Sequence, residues 1–362
     1  MTSRRGFLAG VGALVTAPTL SWAAVGKPIA LSGARLPDGS DVLAGIDSTG
    51  ALTFKVPLPT RAHAGAAHPD YAEAVVIARR PGTFAKVLDC ASGRVIQDLQ
   101  TPQGHHFYGH AAFSTDGGYL FTTENHMASG EGRIGVWDRS LGYRRIDSFA
   151  SGGIGPHEIL RLPSGDLAVA NGGIRTHPDT GREKLNLETM RPNLAILSSG
   201  GSVRTVADRP LAQHQNSLRH IAVAPDGTIV CGFQWQGDPF DAPPLLSLYD
   251  ESSGLQTVTL DDDLHRGLNA YIGSVCAIGP DSFAASSPRG GRVIMFDASG
   301  RVTAHHRALD VCGLMPSSGG DLLASDGNGR VHAVTKTDLH AVAHHAAAFD
   351  NHMIAVSPSS PV

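Results

Sequence analysis

The chain is poor in several things that would decide its class at once. It holds 4 cysteines among 362 residues. None is spaced C-x-x-C, which removes the common zinc, haem and dithiol redox motifs. Aromatic residues make up 6% and charged residues 17%. There is no basic excess: 29 Lys and Arg stand against 33 Asp and Glu, a net charge of −4. That balance argues against a nucleic-acid backbone as partner. After the N-terminus no apolar run reaches the length of a membrane-spanning helix, about 18 residues or more. No G-x-S-x-G, phosphate-binding loop or H-E-x-x-H occurs. Gly152-Gly153-Ile154-Gly155 lacks the strand-to-helix setting that a dinucleotide site needs.

What the chain has instead is turns and histidines: 43 Gly, 22 Pro and 18 His. Many turns with few helix formers point to an all-β protein. A short pattern returns along it, in which one residue opens an apolar stretch that a Pro or Asp-Gly turn closes. The openings are His63 (AGAAHP), His110 (AAFSTDG), His157 (EILRLPSG), His220 (IAVAPDG), Ser274 (VCAIGP) and His352 (MIAVSP), with a weaker copy at Asp310 (VCGLMP). From His63 to His110 is 47 residues, and from His110 to His157 again 47. A second marker keeps the same period, an apolar residue plus Asp followed by a turn to Gly: Asp47 to Gly50, Asp89 to Gly93, Asp138 to Gly142, Asp250 to Gly254 and Asp297 to Gly300. The carboxylate can bond its own turn and Gly supplies the positive φ.

Repeats of about 40–50 residues with four strands each are the mark of a β-propeller. The N-terminal stretch offers three strands without a first one, and Asn351 to Pro358 reads as a first strand with nothing after it. Together they make one blade, close the ring and remove free edges. The expected fold is an all-β, seven-bladed β-propeller over residues 24–362. Two of the longer gaps hold insertions. Gly172 to Pro192, with a short helix expected near Lys184 to Met190, should connect the second and third strands of the fourth blade as a lid, and Asp238 to Pro244 should lie on the same side.

Residues 1–23 read as a twin-arginine export signal, with Ser3-Arg4-Arg5-Gly6-Phe7-Leu8, a weakly apolar segment, and Ser21-Trp22-Ala23 as the cleavage site. The expected destination is the periplasm, with no membrane span once the signal is removed. Cys90, Cys231, Cys276 and Cys312 read as small buried hydrophobes, although the equivalent positions of Cys276 and Cys312 leave a disulfide open.

Equivalent positions of a propeller repeat form a ring in space. His63, His110, His157, His220 and His352 should therefore gather at one mouth of the channel, with Ser274 and Asp310 completing the ring. Imidazole suits Fe, Cu and Zn, so these five are the candidate metal ligands, three or four of them at most serving one ion. The ends of the second strands should form a wider polar ring that offers candidate ligand-binding residues: Asn125, Asn171, Gln234, Arg289, Asp326 and Asn328, together with Asp310. Glu158 and Glu124 are candidate carboxylates, and Arg79 and Arg289 candidate anion partners. The doublets His105-His106, His305-His306 and His344-His345 read as surface or linker positions in outer strands or loops, and His177 as a lid contact.

Further strings carry a resemblance: Tyr108-Gly109-His110, Gly155-Pro156-His157-Glu158, Asn171-Gly172-Gly173, Thr176-His177-Pro178-Asp179, Ser217-Leu218-Arg219-His220, Ser287-Pro288-Arg289-Gly290-Gly291-Arg292 and Asp326-Gly327-Asn328. With the leader and the length, the chain resembles a family of exported bacterial propellers of unknown function, over essentially the whole mature chain. Its blades are similar to those of the quinoprotein amine dehydrogenase β-chain-like and WD-repeat superfamilies. The resemblance implies a periplasmic iron-uptake setting beside imelysin-type proteins, and supplies no catalytic residues. The sequence supports three functions: a binding or accessory propeller holding a metal or small anionic ligand; a lyase or oxidoreductase with His157 or His220 as base and Arg289 as anion clamp; and a protein-interaction platform.

Overall fold

The computed structural model describes residues 20–79, 83–181 and 183–356. The twin-arginine motif and the apolar segment after it lie outside the described residues. Seven antiparallel sheets succeed one another along the chain, and the protein is a seven-bladed β-propeller. The first blade contains Ala30–Arg35, Asp41–Ile46 and Leu52–Leu58. The innermost strands of the next four are Ala62–Ala67, His105–Phe113, Pro156–Arg161 and Asn216–Val223, and those of the last two are Ser274–Gly279 and Val311–Pro316.

The ring closes as the pattern of the termini requires, with one difference. The C-terminal strand is broken in two. Ala348 and Phe349 pair with Arg35 and Ala34, while Ile354 and Ala355 pair with Leu31 and Ala30. Between the halves the chain leaves the sheet. There Asp350, fully buried, takes ion pairs from Arg61 at 2.7 Å and Arg79 at 2.6 Å, both in the second blade. The seam is thus closed by charge as well as by strand pairing.

The apolar faces of the blades pack on one another. Leu31, Leu43 and Leu88 share one interface, and Phe233, Phe283 and Phe296 another, all with at most 1% exposure. Each such side chain contributes about 1.5–3 kcal/mol. The outermost strands carry the surface, as in Arg94–Leu99, where Leu99 alone is buried. The Asp turns form as expected: Asp47 accepts from the Thr49 and Ala51 amides at 2.8 and 3.0 Å, and Gly50 has φ 83°. The four cysteines are buried free thiols.

Some local expectations change. The insertion does connect Leu167–Asn171 to Asn193–Leu197, but its helical parts among the described residues are only 3-10 turns, at Pro178–Thr180 and Leu187–Thr189. An α-helix, Asp262–Gly267, capped by the Asp261 carboxylate on the Leu264 amide at 2.8 Å, fills much of the gap before the sixth blade. Leu20 to Val25, which spans the end of the expected leader at Ala23 and the two residues after it, packs against the second blade. Trp22 is 7% exposed and donates its indole N–H to the His68 carbonyl at 2.8 Å.

Candidate metal centre

The inner strands do not run regularly past the axis. Their pairing with the second strands slips where the repeat places its opening residues. His63 is skipped between Ala62 and Ala64, Tyr108 to His110 between Phe107 and Ala111, His157 between Pro156 and Glu158, and Arg219 between Leu218 and His220. Each slip is a β-bulge, which breaks the in-out alternation and re-aims side chains. His352 leaves the ladder through the break in the closing strand. Gly109 makes the widest bulge possible, with φ 112°, and a Cβ there would strike the His63 ring.

The consequence is a cluster of five imidazoles from five different blades. Ring centroids are 5.0 Å apart for His63 and His110, 5.0 Å for His63 and His352, and 4.7 Å for His110 and His352. His157 lies 4.8 Å from His110, and His220 5.1 Å from both His157 and His352. They do not line an open mouth. His110, His157, His220 and His352 are all buried, and His63 is partly so.

One nitrogen from each of His63, His110 and His352 can be chosen so that all three lie within 4.8 Å of one another. Nε2 of His63 and Nε2 of His157 are 3.4 Å apart. Two nitrogens bound tetrahedrally at about 2.0–2.1 Å from one ion stand about 3.4 Å apart. Nδ1 of His157 donates to the Arg219 carbonyl at 2.7 Å, which leaves the Nε2 lone pair for the axis. Nδ1 of His63 and Nε2 of His110 and of His352 are buried with no hydrogen-bond partner among the described residues. Unpartnered buried nitrogens are rare and costly, and an ion is one of the few things that satisfies them.

Burial is the first cause of their electrostatics. It holds His63, His110 and His157 well below the ordinary histidine range. His220 and His352 fall to about 3, by burial and then by neighbouring positive charge. All five are therefore neutral near pH 7, the state in which imidazole binds a metal. One carboxylate joins them. Glu158 places Oε1 3.7 Å from Nδ1 of His110 and Oε2 3.5 Å from Nδ1 of His220. Burial raises it to about 7, opposed by His352 and by the Ile221 amide that it accepts at 2.9 Å.

The wider ring of candidates divides. Gln234 reaches the cluster, with Nε2 3.4 Å from Nε2 of His220 and donating to the Ile272 carbonyl at 3.0 Å. Arg289 stacks on Tyr271, 4.2 Å from its centroid. Asn125 lies against His106 at 3.3 Å. Asn171 is taken up by Ser151 and Asn193. Asp326 accepts from the Asn328 amide at 2.8 Å and lies 2.9 Å from Nε2 of His332, and Asn328 is exposed in that turn. Asp310 does not join the imidazole cluster. It is exposed and in the left-handed region at φ 55°, and Ser274, although buried, brings no metal donor there. Glu124 points outward to the Arg145 guanidinium instead. Arg79 is committed to Asp350, and His177 to Asp179 at 3.5 Å. His105 and His106 open an inner strand rather than an outer one, because the third blade's inner strand starts well before its His110. His305 and His306 lie in an outer strand, as does His344.

The residue that pattern reading passed over is Arg219. Its charge helps to depress all five histidines. The available signal was its place directly before the repeat's histidine.

A family profile described as "Protein of unknown function (DUF1513)" matches residues 56–356. Hydrazine synthase of Kuenenia stuttgartiensis is similar in structure, with TM-score 0.58 and 16% identity over 93% of this chain and 99% of that one. A chain of the mitotic checkpoint complex gives 0.55 and 13% over 77% and 78%. At such identities the likeness shows the fold alone. No curated protein matches the chain.

Proposed function

The chain belongs to the DUF1513 family, whose function is unknown, so its site must speak for itself, and we propose that it is a metal-holding propeller of the periplasm. The ion is a divalent transition metal, Fe, Cu or Zn, held on the axis by His63, His110 and His352, with His157, His220 and Glu158 available to complete the shell. The observation that carries this is that one nitrogen from each of three neutral imidazoles, His63, His110 and His352, lies within 4.8 Å of the other two. All-nitrogen donors with one carboxylate suit these metals and not Mg or Ca. The twin-arginine leader supports export of a folded, loaded protein, and the family resemblance supports a role in iron acquisition beside imelysin-like partners.

The test is elemental analysis of protein purified from the periplasm, repeated after dialysis against each metal ion. Wild type should carry close to one equivalent, and the double substitution His110→Ala, His352→Ala should carry none. A wild type that retains no metal from any of the three would sink the reading.

A lyase or oxidoreductase at the same centre is the second reading. Glu158, at about 7, favours it as an acid–base group better placed than His157, whose Nδ1 already donates to a carbonyl.

A further inference from the structure

The expected cleavage site is part of the folded propeller. A peptidase that reads Ser21 and Ala23 must take the chain extended, so that both small side chains fall on one side and Trp22 on the other. The fold withholds that shape. Trp22–Val25 is a 3-10 helix, and the bond after Ala23 lies inside it. The Ala24 amide donates to the Ser21 carbonyl at 3.0 Å, and the Lys27 amide to the Trp22 carbonyl at 3.1 Å. Before the helix Ser21 bridges to Tyr71, and the Leu20 carbonyl accepts the Ala72 amide at 2.7 Å. Ala23 and Ala24 are exposed, so conformation rather than burial protects the bond. Trp22 holds that conformation. Its side chain shares a core cluster with Leu31 and Leu43 of the first blade, Leu88 and Cys90 of the second, and Val356 just after the closing strand. Its indole donates to the His68 carbonyl at 2.8 Å. Extending Ser21 to Ala23 pulls Trp22 out of that cluster. Cutting after Ala23 removes the indole altogether, leaving a void between two blades and the His68 carbonyl without this donor.

We infer that the chain keeps its leader: signal peptidase does not cut the folded protein, and the retained apolar segment tethers the propeller to the periplasmic face of the inner membrane. A twin-arginine signal carries proteins already folded, so the site meets the peptidase only in this closed form. The run from Phe7 to Leu20 holds no charged residue and follows Arg4 and Arg5, the order of a segment that stays in the bilayer with its basic end inside. It is shorter than a full span of about 17–25 residues, so the propeller is drawn close against the bilayer. The tether leaves beside Tyr71, past the end of Ala62–Ala67, while His63 lies at that strand's start. The imidazole end therefore faces away from the membrane. The inference rests on the leader reading and is independent of the metal.

The full chain is expressed in a bacterium with a twin-arginine pathway, the cells are fractionated, and the intact mass is measured in each fraction. Full-length chain should be found in the membrane fraction, where an antibody added to spheroplasts reaches it. Trp22→Ala frees the site, and at least tenfold more chain beginning at Ala24 should appear in the soluble periplasm. Purified full-length protein should also be cut by signal peptidase at least tenfold more slowly than a synthetic peptide of residues 15–30, a comparison that holds even where Trp22→Ala does not fold. Wild type that is soluble in the periplasm and begins at Ala24 overturns the inference and leaves export standing, as do equal cutting of protein and peptide and unchanged processing of a folded Trp22→Ala. Full-length chain free in the periplasm overturns the tether, and a peptide that resists cutting overturns the role given to the fold. Chain confined to the cytoplasm removes the leader reading and the inference with it.

Discussion

Glu158 and His220 belong to neighbouring blades, yet the Glu158 carboxylate lies 3.5 Å from Nδ1 of His220 and accepts the amide of the next residue, Ile221. The side chain that follows one blade's histidine thus steadies the next blade's histidine. The ring of imidazoles and the packing of the blades are one construction.

Acid should destabilise the metal-free protein. The ordinary histidine value is 6.5, and all five imidazoles lie below it when folded. Below that pH the unfolded chain takes up protons that the folded one does not, so stability falls as pH falls, over a window reaching down to about 3, where His220 and His352 titrate. Glu158 acts oppositely: raised to about 7, it loses stability as pH rises toward that value. Five groups outweigh one. Each histidine adds up to about 1.4 kcal/mol per pH unit. Thermal melts of metal-free protein from pH 7.5 to 5 should show a falling Tm, and His110→Gln should flatten the dependence. A Tm that stays level across this range would contradict the assignment.

Gly109→Ala should cost the metal before it costs the fold. A methyl there collides with the His63 ring and faces a positive φ. Displacing His63 removes one of the three donors that lie within 4.8 Å of one another. Bound metal should fall at least tenfold while the far-ultraviolet circular dichroism stays that of a β protein. Full metal content in the variant would refute the role given to His63.

Asn171→Ala should do the reverse. Its amide bonds the Ser151 carbonyl and Asn193 at 2.9 Å each, and its oxygen accepts from the Ser151 hydroxyl at 2.7 Å. Truncation strands these buried partners, at about 2 kcal/mol. The denaturation midpoint should drop and metal content should not change. Loss of metal at unchanged stability would make Asn171 a ligand after all.

Asp350→Asn should open the seam of the ring. The substitution leaves Arg61 and Arg79 facing each other without their shared carboxylate. A loss of about 3 kcal/mol is expected, read as a lower guanidinium midpoint at constant slope. A midpoint within error of wild type would show that strand pairing alone closes the propeller.

Much of this was legible in the chain. The recurrence of one apolar stretch and one Asp-to-Gly turn fixed the period, because each blade must bury the same faces and make the same turn. The missing strand at one end and the spare strand at the other fixed the closure, because a propeller leaves no edge unpaired. Five histidines at equivalent places had to fall on one ring, because repeat symmetry maps sequence position onto radius. What repeat symmetry does not carry is departure from itself. The bulges at His63, His157 and Arg219 turn a rim into a buried cluster, and a bulge depends on how two strands slip against each other. Asp310 stays exposed at a left-handed backbone outside the imidazole cluster, and Glu124 turns to Arg145 while Glu158 turns in. Side-chain direction, burial and hence the neutral state of the imidazoles are set by neighbours from other blades, and those neighbours meet only when the ring is closed.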